Sequence, residues 1–115
     1  MLAGFSQGAI VALAVAAQHP ELLSGAIAVA GALGRSMMPA HAPAAAVPIT
    51  LLHGTTDPTV PYGMGELTAR WLTERGFDAR IERFDGVEHR LTTRERNRFH
   101  EALARGLDRA CPPRP

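Results

Sequence analysis

Gly4-Phe5-Ser6-Gln7-Gly8 is the stretch that decides how this chain is read: a G-x-S-x-G pattern between the apolar stub Met1-Leu2-Ala3 and the apolar run Ala9–Ala17. The stub looks like the end of a β-strand and the run like a helix, so the serine falls on a strand-to-helix turn. A turn that sharp forces the serine backbone into a strained conformation, and Gly4 and Gly8 are expected to remove side chains that would collide there. The helix N-terminus then lies beneath the serine, and the Gln7 N–H can point at a negative oxygen forming beside the Ser6 hydroxyl. In a chain with 11 glycines among 115 residues, the pattern is expected by chance roughly 0.03 times. An ordinary glycine-rich turn that happens to carry a serine is the competing reading.

Working outward, residues 8–19 are apolar almost all round, so a helix there is expected to be buried on more than one side, with Pro20 as its stop. Residues 24–30 (SGAIAVA) form a continuous small-apolar run that fits a strand buried on both faces. Residues 31–47 are irregular and rich in Ala and Pro. A second buried strand is expected over 48–53 (PITLLH), ended by the turn Gly54-Thr55-Thr56-Asp57-Pro58. Residues 62–75 read as an amphipathic helix with Met64, Leu67, Trp71 and Leu72 on one face, stopped by Gly76. The charged strand 79–84 suits a position near a sheet edge. Thr92 to Glu95 (TTRE) spells a capping box, opening a helix with Phe99, Ala102, Leu103, Gly106 and Leu107 on one face. Strands alternating with helices imply an α/β fold: about four parallel strands flanked by helices on both faces. The domain spans 1–110, and 111–115 is a Pro-rich tail.

Two further residues join Ser6. Asp57 lies in the turn after the strand 48–53, and His89 in the loop after the strand 79–84. All three therefore fall just beyond the C-terminal ends of parallel strands, where sites assemble in such sheets. The order Ser, acid, His is that of nucleophilic serine sites on this kind of sheet. His89 is expected to take the proton of Ser6, and Asp57 to fix the His89 tautomer. Asp85 closes the turn with Gly86, Glu88 is solvated, and His19, His41 and His100 read as surface or packing residues. His53 ends a buried strand, where a packed, hydrogen-bonded imidazole is expected.

The bulk composition removes other classes. A formal net charge of +1 with 12 basic residues, all Arg and scattered from Arg35 onward, gives no footprint for nucleic acid or an anionic membrane. The single Cys111 excludes an intramolecular disulfide and any multi-cysteine metal site. No histidine spacing supports a metal, and no cofactor is expected. The run Ala9–Ala17 has no basic residue ahead of it, as a signal peptide would, and is too short to cross a bilayer, which takes about twenty residues. The expected location is cytoplasmic.

GFSQGA at 4–9, HGTTDPTVP at 53–61 and GVEH at 86–89 together resemble the phospholipase/carboxylesterase family of α/β-hydrolases, which includes acyl-protein thioesterases. The family shows a G-F-S-Q-G-G elbow, an H-G-x-x-D-x-x-V-P acid turn and a G-x-x-H or G-H turn before the last helix. The resemblance runs from Leu2 to about Leu107. It implies that Ser6, Asp57 and His89 form a triad, that the Gln7 backbone N–H is one half of an oxyanion hole, and that a small-molecule ester or thioester is cleaved through an acyl-enzyme. Two positions depart from the pattern: Ala9 replaces the second glycine, and Glu88 stands where glycine often precedes the histidine. The family also carries strands ahead of the elbow, with a loop donating the second oxyanion N–H. The chain is therefore expected to be the C-terminal portion of the fold, or to start too far downstream, with poor activity alone and dimers or aggregates formed through the exposed strand edge. Met37 and Met38 are candidates to line an acyl pocket, because flexible thioethers suit varied chains. Packing within their own loop is the competing role. A dienelactone hydrolase or serine peptidase on the same fold, and a non-catalytic remnant, are the alternative functions.

Overall fold

The computed structural model describes residues 1–111, so the Pro-rich end Pro112-Pro113-Arg114-Pro115 lies outside the described residues. Four strands, β1 (Leu2–Phe5), β2 (Ala26–Val29), β3 (Pro48–Gly54) and β4 (Asp78–Phe84), pair in parallel in the order β1-β2-β3-β4. Three helices connect or follow them: α1 (Gln7–Gln18), α2 (Tyr62–Glu74) and α3 (Thr93–Ala110). The element order is the one expected from the sequence. Among the described residues β1 and β4 are the edges of the sheet.

Alternation along the strands divides the core into two layers. Ala26, Ala28, Ile49 and Leu51 meet Ala9, Leu13 and Ala16 of α1 and Ala69 and Leu72 of α2. Ile27, Val29, Leu52 and Phe84 point the other way, toward Phe99, Ala102 and Leu103 of α3. All four residues of β2 are buried, which explains its unbroken small-apolar sequence. The helices thus cover both faces, and the sheet between them fixes where every strand ends. Phe5 pairs with Val29, Val29 with Leu52, and Gly54 with Phe84, so the C-terminal strand ends lie along one rim.

The helix faces differ from those expected. On α2 the buried residues are Gly65, Thr68, Ala69 and Leu72, whereas Met64 is exposed and Leu67 and Trp71 are only partly covered. The two smallest residues face the sheet because α2 lies close over it: a Cβ on Gly65 would come within 3.0 Å of Ile81. On α1 the buried side is Ala9, Ala12, Leu13, Ala16 and Ala17, while Val11 on the other side is 61% exposed. An all-apolar helix carries no phase, so sequence alone did not fix which side is covered. On α3, Leu107 is exposed rather than inward. No helix among the described residues is long and apolar enough to cross a membrane.

The helix ends follow their sequence signals. Thr92 accepts from the Glu95 N–H, and the Glu95 carboxylate accepts from the Thr92 N–H at 3.0 Å, completing the capping box. Gly76, at φ +93°, ends α2: its N–H donates to the Thr73 carbonyl and the Phe77 N–H to the Leu72 carbonyl, a Schellman arrangement.

The two glycines of the elbow prove unequal. A Cβ on Gly4 would lie 2.2 Å from the backbone of Gly8, whereas a Cβ on Gly8 would meet nothing within 4 Å. The expectation that both remove collisions holds for Gly4 only, because β1 runs directly against the first turn of α1 while Gly8 faces outward. Gly4→Ala should therefore destabilise the chain by at least ~2 kcal/mol. Gly8→Ala should be neutral or stabilising by up to ~1 kcal/mol. Urea unfolding of the two variants checks this; equal losses would contradict it.

Candidate active site

Ser6 occupies the turn between β1 and α1 with φ 55° and ψ −114°, a region non-glycine residues rarely occupy. Such a conformation costs of order 1–3 kcal/mol and persists only where its surroundings over-determine it. Here the Ser6 N–H donates to the Val29 carbonyl at 2.9 Å, extending the β1–β2 ladder, and the Ser6 carbonyl accepts from the Ile10 N–H at 3.0 Å, starting the helix. Sheet and helix thus hold the residue from both sides. The Ser6 side chain makes no capping bond to α1. Its Oγ instead lies 2.7 Å from Nε2 of His89. The Gln7 N–H is the first amide of α1, without an intrahelical acceptor.

Ala9, the departure from the family glycine, is fully buried, and a Cβ on Gly31 would come within 2.5 Å of its methyl. The loop leaving β2 is bare at the point where α1 carries the extra carbon. Ala30, which precedes that glycine, has φ +57°.

Asp57 sits in the turn after β3, its side chain wholly out of water. Oδ1 accepts from the N–H groups of Thr59 and Val60, both at 2.8 Å. Oδ2 lies 2.7 Å from Nδ1 of His89. A carboxylate accepts only, so Nδ1 of His89 carries the hydrogen, and Nε2 is left to accept from the Ser6 hydroxyl. Burial pushes the Asp57 pKa up, but the hydrogen bond from His89 and those from Val60 and Thr59 outweigh it, and the net shift is downward. The carboxyl is thereby kept ionised.

The loops carrying Asp57 and His89 are tied together. The Thr55 N–H donates to the Phe84 carbonyl, the Thr56 N–H to the Val87 carbonyl, both at 3.1 Å, and the Gly86 N–H to the Thr55 hydroxyl at 2.9 Å. Gly54 makes the crossing possible, since a Cβ there would lie 2.1 Å from the Val87 carbonyl oxygen. Gly86, at φ +73°, turns the second loop back toward the first. Phe5 packs its ring 5.2 Å from that of His89, on the rim beside Ser6. Phe5 was not singled out from the sequence, although its place inside the G-x-S-x-G pattern puts it next to the serine.

The remaining candidates lie elsewhere. Asp85 is exposed and bonds Arg83 at 3.1 Å. Glu88 is exposed, as are His19, His41 and His100. Met37 and Met38 are not brought to Ser6. The Met37 carbonyl accepts from Gln18 at the far end of α1, and Met38 is buried in the core beneath α1 and α2. Twelve residues of α1 separate the two ends, roughly 18 Å of helix. Among the described residues no group of three His, Cys, Asp or Glu side chains is placed to hold a metal ion.

A family profile described as Phospholipase/Carboxylesterase matches residues 1–105. Acyl-protein thioesterase 1 of Neurospora crassa is 27% identical over 96% of this chain and 47% of its own length. Among solved structures, esterase PE8 superposes with a TM-score of 0.77 at 29% identity, over 90% of this chain and 48% of that one. SOBER1 of Arabidopsis thaliana superposes with a TM-score of 0.78 at 26% identity, over 91% of this chain and 51% of that one. The chain spans about half the length of these relatives.

The lowered pKa of Asp57 has a consequence for stability. A carboxyl depressed in the folded state contributes stability above its unfolded value, near the ordinary aspartate value of 3.8, and loses it as pH falls through the folded value. Unfolding free energy should thus be level in this term from neutrality to about pH 5 and decline on further acidification. The decline should be shallower in Asp57→Asn. Urea titrations across that range check the sign, and parallel curves for the two proteins would contradict it.

Proposed function

The chain belongs to the phospholipase/carboxylesterase family, and from that premise we propose that it carries the catalytic half of a serine hydrolase that cleaves carboxylic esters or thioesters through an acyl-enzyme. One observation carries the reading: an unbroken line from Ser6 Oγ to His89 Nε2 and from His89 Nδ1 to Asp57 Oδ2, each step 2.7 Å. The strained backbone at Ser6 supports it, because strain of this kind is retained where function requires it.

In this mechanism His89 takes the hydroxyl proton at Nε2 as Ser6 Oγ attacks the carbonyl carbon. The imidazolium that forms is stabilised by the ionised Asp57 across Nδ1–H. The carbonyl oxygen becomes negative and accepts from the Gln7 N–H at the positive end of α1. Nε2–H then donates its proton to the leaving alkoxide or thiolate, and the C–O or C–S bond breaks to leave Ser6 acylated. Water repeats the sequence in the second half: His89 takes its proton as the hydroxide adds to the acyl carbon, the bond from that carbon to Ser6 Oγ breaks to release the carboxylic acid, and Oγ regains its hydrogen from Nε2. By resemblance, the second oxyanion donor comes from a segment ahead of the elbow. Such a donor contributes about a hundred- to a thousandfold in kcat.

The three roles separate in kinetics on a p-nitrophenyl ester. Ser6→Ala should abolish turnover. Asp57→Asn should keep the fold and lower kcat by up to about ten-thousandfold, through the wrong His89 tautomer. Asp85→Asn should change the rate far less. A larger loss in Asp85→Asn than in Asp57→Asn would contradict the assignment of the acid.

A further inference from the structure

Among the described residues His53 is the one fully buried histidine, and the mechanism above gives it no role. It is the penultimate residue of β3, and its backbone is held in the sheet by pairing with Arg83 of β4. Its Nε2 lies 2.6 Å from the carbonyl oxygen of Val60, seven residues on. A carbonyl only accepts, so Nε2 carries a hydrogen. Val60 is also the residue whose N–H donates to Asp57 Oδ1 at 2.8 Å. One peptide segment therefore receives a bond from the rigid strand and gives one to the carboxylate. The same Nε2 stands 3.7 Å from Asp57 Oδ2, the oxygen that accepts from His89.

We propose that His53 is a positioning residue for Asp57: the bond from its Nε2–H to Val60 latches the acid turn to β3 and so sets the direction of the carboxylate toward His89. The rest of the ring is packed. Its Nδ1 has no hydrogen-bond partner and faces Gly65, where a Cβ would come within 2.9 Å of it. Tyr62 closes a second side, edge-on at 5.9 Å between ring centroids. A hydrogen on Nδ1 would be a buried donor without an acceptor, which disfavours the other tautomer. The sequence H-G-x-x-D-x-x-V thus spells a closed unit: His53 donates to the residue seven ahead, Gly54 lets the second loop cross, and Val60 and Thr59 turn back onto Asp57. Released from β3, the turn would be free to swing Oδ2 away from Nδ1 of His89, with no change in any group that touches substrate.

The role rests on the reading of Ser6, His89 and Asp57 given above, and the test keeps the two apart by reading two signals. One is kcat and KM on a p-nitrophenyl ester. The other is the low-field proton resonance of His89 Nδ1–H, identified by its disappearance in Asp57→Asn. His53→Leu should lower kcat by roughly ten- to a hundredfold at unchanged KM, as a displacement of about 1 Å does, and should remove or broaden the resonance. His53→Gln, which keeps a donor of similar reach, should restore most of both. Gly65→Ala, which presses on the ring while leaving its donor in place, should shift the resonance and lower kcat even where His53→Leu folds poorly. If the wild-type chain hydrolyses no ester, the resonance alone decides, and its loss in His53→Leu with return in His53→Gln still supports the latch. A resonance and kcat unaffected by His53→Leu would overturn the proposal, as would equal losses in His53→Leu and His53→Gln, which would make the ring mere packing.

Discussion

A carboxylate taken wholly out of water must be surrounded by donors, and the rim of this sheet is arranged around that requirement at Asp57. An ionised group in a low-dielectric setting costs several kcal/mol unless hydrogen bonds replace its hydration. Two amides of its own turn serve Oδ1, and the His89 ring serves Oδ2. Serving Oδ2 from another strand's loop requires the loops after β3 and β4 to cross at contact distance, which Gly54 permits. Once His89 is oriented by Asp57, its other nitrogen is aimed at the end of β1, where Ser6 is held by the β1–β2 ladder and the first turn of α1. The geometry at the serine is thus set two strands away.

Parallel register makes this possible. Four strands running the same way deliver their following loops to a single rim, and the connections through α1 and α2 return the chain to the start of the next strand. Residues 6, 57 and 89 are far apart in sequence and carried on three loops, which the sheet brings to one rim and the bonds between the second and third loops draw together. The strain at Ser6 and the buried charge at Asp57 are both unfavourable in isolation. Each persists because the sheet and the helices packed on its two faces hold the loops where the compensating bonds form.

Much of this was legible in the residues. The small-apolar run at 24–30 and the stretch at 48–53 marked buried strands, the TTRE box and Gly76 marked helix ends, and Gly4-Phe5-Ser6-Gln7-Gly8 marked the turn. Ser6, His89 and Asp57 were legible because their residue types, chain order and positions after strands converge. What was not legible has physical causes. The inward face of α2 includes Gly65 and Thr68 beside Ala69 and Leu72, residues that hydrophobic patterning discounts, and at Gly65 the close approach to β4 leaves no space for a side chain. The side of α1 that is covered could not be read from a helix apolar all round. Gly8 resembled Gly4 in sequence, yet only the direction of its missing Cβ tells them apart. Met37 and Met38 fall in an irregular loop whose path no local pattern sets, and that path leads to the far end of α1. His53 read as a packed histidine, and its bond to Val60 emerges only when the acid turn closes.

The central claim is that Ser6 is made nucleophilic by the line through His89 to Asp57. Its most direct test is to mix the chain with a p-nitrophenyl ester, quench in acid within the first turnover, digest, and locate the retained acyl group by mass spectrometry. The account predicts one acyl group per chain, on the peptide containing Ser6. An acyl group on any other residue, or p-nitrophenol released with no acylated peptide, would contradict it.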